Sequence, residues 1–203
     1  MHDQPVFPDI SGVILAGGRG RRMGGCDKGL LPLQGQPLAE HVRQRLVPQV
    51  SELCLVANRS LPAYRQLGLA VMPDCLPGQP GPLAGMLTGL QQARHEWVLF
   101  SPCDTPWLPP DLAFRLWRAV AGTPVQAVVA REGGQTHWLC CLVHHAQRES
   151  LQQALASGVR SAGAWLVAQA CIYADFTDCP GAFGNLNTPE ELQQAEQGHL
   201  PTG

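Results

Sequence analysis

Lysine is almost missing from this chain: of its 14 basic residues, 13 are arginine and the sole lysine is Lys28. Charge of either sign is sparse, at 15% of residues, and the formal sum is 14 − 16 = −2. No global basic field exists to hold a nucleic acid or an anionic membrane, so any anion site must be local. The chain also lacks an apolar run near the roughly 20 residues that span a bilayer, which argues against an integral membrane protein. Its eight cysteines, at positions 26, 54, 75, 103, 140, 141, 171 and 179, include no C-x-x-C pair, and no signal peptide is read ahead of them. Neither a zinc ribbon nor a secreted disulfide framework is therefore expected. Cys54, Cys140, Cys141 and Cys171 fall inside apolar runs, as small hydrophobes do, and reduced thiols in a cytoplasmic protein are the expectation. The seven histidines show no metal-ligand spacing. The adjacent pair His144 and His145 would face opposite sides of a regular strand.

What is present suits one globular domain: 203 residues, 45% apolar, with no internal repeat, charged block or long linker. A disordered tail or a collagen-like repeat is excluded. Short apolar runs at 11–16, 52–57, 69–72 and 97–101 read as strands, and 38–47, 83–93 and 110–120 as helices, the last with proline at its start. Strand alternating with helix implies parallel pairing, and runs apolar throughout imply strands covered on both faces. Beyond residue 122, segments 125–131 and 137–143 pair as a hairpin around Glu132, Gly133 and Gly134, adding an antiparallel element. Helices near 148–157 and 161–168, a strand at 170–175 and a helix at 189–197 close the chain. The expected fold is a single α/β, Rossmann-like, three-layer domain over residues 8–197, with flexible ends at 1–7 and 198–203.

The segment LAGGRGRRMGGCDKGL, residues 15–30, follows directly on the first strand. In an open α/β sheet such loops line the ligand crevice. Gly17, Gly18, Gly20, Gly24 and Gly25 remove side chains that would keep a ligand from backbone N–H groups. Arg19, Arg21, Arg22 and Lys28 set four positive charges against Asp27, a balance suited to a triphosphate. Gly18-x-Gly20-x-x-x-Gly24 loosely matches a dinucleotide fingerprint, which would make the protein a nicotinamide-dependent oxidoreductase. Against that, Asp27-Lys28-Gly29 leads into the strand-like LLPLQGQPL rather than a helix, and the second strand ends in Asn58-Arg59 rather than an acid. The order of a P-loop is absent too, because Lys28 precedes Gly29 and no hydroxyl follows.

L-A-G-G-x-x-x-R-M-G-G-x-D-K resembles the signature of the molybdenum cofactor guanylyltransferases, a branch of the nucleotidyltransferases. Pro80 to Met86 (PGPLAGM), Pro102 to Pro106 (PCDTP) and Asn185 to Leu192 (NLNTPEEL) resemble further segments of that family, in the family's order, so the likeness runs from residue 12 to about 195. The resemblance implies transfer of GMP from GTP to the phosphate of molybdopterin, giving molybdopterin guanine dinucleotide and pyrophosphate. It implies Mg²⁺ as cofactor, GTP and molybdopterin as partners, and transient contact with molybdenum cofactor biosynthesis proteins and with apo-molybdoenzymes or their chaperones. It also implies roles for residues. Leu15, Ala16, Gly17 and Gly18 would lie against the nucleotide, Lys28 would hold the phosphates, and Arg22 would stabilise charge on the transferring phosphate. Asp104 would hold Mg²⁺, Asp74 would contact the nucleotide, and Gly85 would allow close approach of the base.

Two features of the chain stand beside that likeness. Val56 occupies a position where family members often carry asparagine, and Gln135-Thr136-His137-Trp138 replaces a common His-Pro. Asn185 and Asn187, two apart, would face one way in an extended segment and reach the pterin or the metal. The following Thr188-Pro189-Glu190-Glu191 reads equally as an N-cap, proline at N1 and acids in a first turn. A cytidylyltransferase, a sugar-phosphate nucleotidyltransferase and a non-catalytic nucleotide-binding accessory protein are the competing readings.

Overall fold

The computed structural model describes residues 6–17, 27–76 and 81–198. Its centre is a seven-stranded sheet built from β1 (Ile10–Leu15), β4 (Glu52–Val56), β5 (Ala70–Met72), β6 (Trp97–Pro102), β7 (Ala127–Glu132), β8 (Gln135–His144) and β9 (Ile172–Asp175), in the order β5-β4-β1-β6-β8-β7-β9. The pairs β1–β4, β1–β6, β4–β5 and β7–β9 are parallel, whereas β8 runs antiparallel to both β6 and β7. This is the expected mostly parallel sheet with one antiparallel element, and β7 and β8 form the expected hairpin.

Alternation along each strand feeds two cores. On β1, Ile10 and Ile14 join a cluster with Ala39, Val42, Leu112, Leu116 and Phe176 on one face. Val13 and Leu15 join Leu83, Met86, Leu151, Trp165 and Leu166 on the other. The first face is covered by α1 (Leu38–Leu46) and α4 (Leu112–Val120). The second is covered by α3 (Pro82–Gln92), α5 (Arg148–Ala156) and α6 (Ala162–Ala168). Helix α3 lies flush on the sheet because two of its residues are glycine: a Cβ on Gly89 would meet Phe100 Cε1 at 2.7 Å, and one on Gly85 would meet Leu15 Cδ2 at 3.0 Å.

Three local features differ from the sequence reading. The strand-like LLPLQGQPL is a small hairpin of β2 (Pro32–Leu33) and β3 (Gln36–Pro37), turned by Gln34 and Gly35 at φ 51° and 78°. A five-residue helix, α2 (Leu61–Arg65), stands where none was expected. Helix α4 begins at Leu112 rather than at Pro110, because Pro109 to Leu112 forms a turn closed by Leu112 N–H on the Pro109 carbonyl at 3.3 Å. Near the chain's start, the Phe7 ring meets Phe114 at 5.9 Å and Trp117 at 5.6 Å. Of the expected flexible ends, residues 1–5 and 199–203 lie outside the described residues. No helix among the described residues is long and apolar enough to cross a membrane.

Candidate active site

The strand order reverses about β1 and β6: from β1 the chain adds β4 and β5 on one side and then β6 on the other. Ligands of open α/β sheets bind beyond the carboxyl ends of strands at such a switch point. There the ladder continues past the end of β6, with Cys103 N–H donating to Leu15 C=O at 3.1 Å. The chain after β1 and the turn after β6 are thereby held side by side. Gly17 is exposed, and among the described residues nothing lies within 4 Å of a Cβ placed on it. Gly18 and Arg22, also read as site residues, lie outside the described residues.

Lys28 and Asp104 meet at this point. Lys28 Nζ stands 3.3 Å from Asp104 Oδ2 and donates to Asn187 Oδ1 at 2.6 Å, across 76 and 159 residues of sequence. Asp104 is 8% exposed. Burial pushes its carboxyl above the usual range, and the Lys28 ammonium pulls against that shift. Asn187 and Asn185 reach the same turn from the last connection: Leu186 N–H donates to the Asp104 carbonyl at 3.1 Å, and Thr105 Oγ1 donates to Asn185 Oδ1 at 3.2 Å. Leu186 between them is fully buried and anchors the segment. The segment is held from behind by the helix α7 (Pro189–Glu196). Glu191 Oε2 accepts from Asn187 N–H at 2.5 Å and from Thr188 N–H at 3.2 Å, while Thr188 Oγ1 accepts from Glu191 N–H at 3.1 Å. The capping box and the placement of Asn187 are thus one hydrogen-bonded unit.

Asp74 lies beyond β5, on the other side of Leu15. Asn58 grips it twice, with Nδ2 donating to Asp74 Oδ2 at 2.6 Å and Oδ1 accepting from Asp74 N–H at 2.9 Å. Burial raises the Asp74 carboxyl pKa, and the Asn58 bond opposes the rise. Gly85 is buried at this spot, where a Cβ would stand 3.4 Å from Asp74 Oδ1 and 3.7 Å from Val56 Cγ1. Val56 itself is a core residue, 1% exposed, and Asn58 is the amide that reaches Asp74.

Sequence reading passed over Tyr64. This tyrosine, fully buried on α2, donates its hydroxyl to Asp27 Oδ1. The same oxygen fills the place of a side chain on Gly29, 2.5 Å from where a Cβ would stand, with Cys103 Sγ at 3.1 Å. Tyr64 therefore holds the residues on both sides of Lys28. The Asp27–Tyr64 pair spans 37 residues, and a five-residue helix leaves no periodic signal to place it.

The family model described as the MobA-like NTP transferase domain matches residues 12–170. A protein named molybdenum cofactor guanylyltransferase from Pasteurella multocida is 45% identical over 184 residues, covering 91% of this chain and 97% of its own. The chain belongs to the MobA-like NTP transferase family. A second protein of the same name, from Shewanella loihica, is 40% identical over 95% of this chain and 98% of its own. The fold is that of the family as well. The solved structure of molybdopterin-guanine dinucleotide biosynthesis protein A from Archaeoglobus fulgidus superposes with a TM-score of 0.76 over 92% of this chain and 97% of its own, at 21% identity. The nucleotidyltransferase class of the chain follows from this membership. As a MobA-like NTP transferase it is expected to use a divalent cation, and the donors around Asp104 suit one. A buried carboxylate and the amide oxygens of Asn185 and Asn187 form an oxygen-only set, which a hard ion such as Mg²⁺ prefers.

Proposed function

We propose that the chain transfers GMP from GTP to the terminal phosphate of molybdopterin, releasing pyrophosphate. The observation that carries this reading is the convergence of Lys28, Asp104 and Asn187 at the switch point of the sheet. It sets an ammonium against a buried carboxylate at the carboxyl ends of β1 and β6, on a family scaffold whose named relatives are guanylyltransferases.

In this reading an oxygen of the acceptor phosphate attacks the α-phosphorus of GTP as the bond from that phosphorus to the bridging oxygen breaks, and the electron pair leaves with pyrophosphate. A phosphate monoester has its second pKa at about 6 and is largely dianionic at neutral pH. No side chain has to remove a proton. The protein's work is positioning and charge neutralisation. The Lys28 ammonium exchanges its partners Asp104 and Asn187 for phosphate oxygens, and Arg22 adds a second positive charge. Asp104, with Asn185 and Asn187 beside it, would hold Mg²⁺, which when bound offsets negative charge on the triphosphate. Leu15, Ala16, Gly17 and Gly18 offer backbone to the nucleoside, and the Asp74 carboxylate, fixed by Asn58, is placed to accept from guanine N–H or ribose O–H donors. Gly85 keeps that carboxylate and Leu15 close to α3. Molybdopterin and, downstream, apo-molybdoenzymes or their chaperones are the partners in this reading. The cytoplasm is the proposed location, and the seven described cysteines are all free thiols.

The test is pyrophosphate release with molybdopterin, Mg²⁺ and either GTP or CTP. GTP alone should support turnover, and Lys28→Ala should raise the KM for GTP and lower kcat by roughly two orders of magnitude. Equal turnover with CTP would reject the nucleotide assignment, and wild-type kinetics in Lys28→Ala would reject the phosphate role.

A further inference from the structure

Strand β6 has a second cluster of functional side chains at the end opposite Asp104. Glu96, His144 and His145 each offer one ligand atom there, and the three atoms lie within 4.8 Å of one another. The sequence argues against this grouping, because adjacent histidines on a regular strand face opposite sides. The strand stops between them. His144 is the last residue of β8, paired with Trp97, and a 3-10 turn, His145–Gln147, begins at the next residue. The change of backbone direction brings the two imidazoles together, with ring centroids 4.9 Å apart at 80°. Glu96 is placed by the same junction, since His145 N–H donates to its carbonyl at 2.7 Å. The His144 ring is steadied edge-on against Trp97 at 5.1 Å.

We propose that Glu96, His144 and His145 form a binding site for a divalent transition ion of the zinc class, separate from the phosphate-transfer site. Two imidazole nitrogens and one carboxylate make a borderline donor set, which favours Zn²⁺ and its neighbours over Mg²⁺. The donor types of the two sites sort the ions: oxygen alone around Asp104, nitrogen and oxygen here. Ligand atoms of a tetrahedral zinc, each at about 2.0–2.1 Å, lie roughly 3.4 Å from one another. The 4.8 Å limit closes to that by rotation of Glu96 and His145, whose residues are exposed, while His144 remains seated. Binding gives up at most the contact from Ala146 N–H to His144 Nδ1, which at 3.3 Å is at the weak end for a hydrogen bond. Solvent completes the coordination, and the ion ties the segment before β6 to the turn after β8.

The test uses the full chain freed of metal, titrated with Zn²⁺ by calorimetry and with Co²⁺ by absorbance. One equivalent should bind, with a Co²⁺ spectrum free of thiolate charge transfer and a rise in the melting temperature. Glu96→Gln and His145→Gln, at exposed positions, should each weaken binding roughly tenfold or more and leave the rate of GMP transfer unchanged. Undiminished affinity in His145→Gln would overturn the proposal. So would a thiolate band, which would put the ion on cysteine, the exposed Cys75 among them.

Discussion

A buried carboxylate beside one ammonium is a costly arrangement, and Asp104 shows where the cost falls. Burial raises its pKa above the unfolded value, as it does for Asp74. Between the unfolded and folded pKa values the folded chain binds more protons than the unfolded chain. The stability these carboxyls allow is therefore fully present at acid pH and is lost as pH rises through the folded-state values. At neutral pH the Asp104 charge works against folding, and in the proposed function it is the charge that would hold the metal. Asp104→Asn should abolish metal-dependent pyrophosphate release and yet stabilise the protein by about 1 kcal/mol, a rise in Tm of about 2–4 °C. The stabilisation should shrink as pH is lowered, because protonated aspartic acid and asparagine are then near equivalents. Thermal melts of both proteins across that range check this, and a variant less stable than wild type at neutral pH would contradict it. Lys28 and Asp104 were legible in the sequence because each stands in a short motif of distinctive chemistry. Tyr64 and Asn58 were not assigned, because what they do depends on partners 37 and 16 residues away.

At the scale of elements, the last connection and α7 act as one device. The capping box of Thr188 and Glu191 satisfies the first turn of α7, and the same Glu191 carboxylate holds the backbone of Asn187, whose side chain accepts from Lys28. Thr188→Ala removes the acceptor for Glu191 N–H and should cost about 1 kcal/mol, seen as a fall in Tm of about 2–4 °C. Because Asn187 loosens with it, the KM for GTP should rise severalfold, and Thr188→Ser should restore both quantities. A lower Tm with an unchanged KM would sever the link between cap and site. The cap was readable from Thr-Pro-Glu-Glu, and the buried strands and longer helices from their apolar runs, since burial on one or both faces writes a pattern several residues long. The β2–β3 hairpin and α2 are too short to write one. The junction of β8 with its 3-10 turn is hidden for another reason: a strand period carried one residue too far separates His144 from His145, and only the pairing of His144 with Trp97 shows where the strand ends.

For the whole molecule, the central sheet makes two cores interdependent. Consecutive residues of β1 and β6 serve opposite faces: Ile14 and Leu99 pack with α1 and α4, Val13 and Phe100 with α3, α5 and α6. Neither face can lose its helices without exposing strands that the other requires. At 203 residues the chain exceeds the size at which all-or-none unfolding is usual, but this shared sheet predicts one transition. Trp117 reports on one core and Trp165 on the other, so tryptophan emission and far-UV circular dichroism should melt together, and calorimetric and van't Hoff enthalpies should agree. The site lies at the edge of the strands common to both cores, so a nucleotide bound there should raise the single transition without splitting it. GTP at one hundred times its Kd would add about 2.7 kcal/mol, which for a chain of this size is a shift of about 5–11 °C. Two resolved transitions, with only one moved by GTP, would show that the faces unfold separately and that the nucleotide is bound by one of them alone.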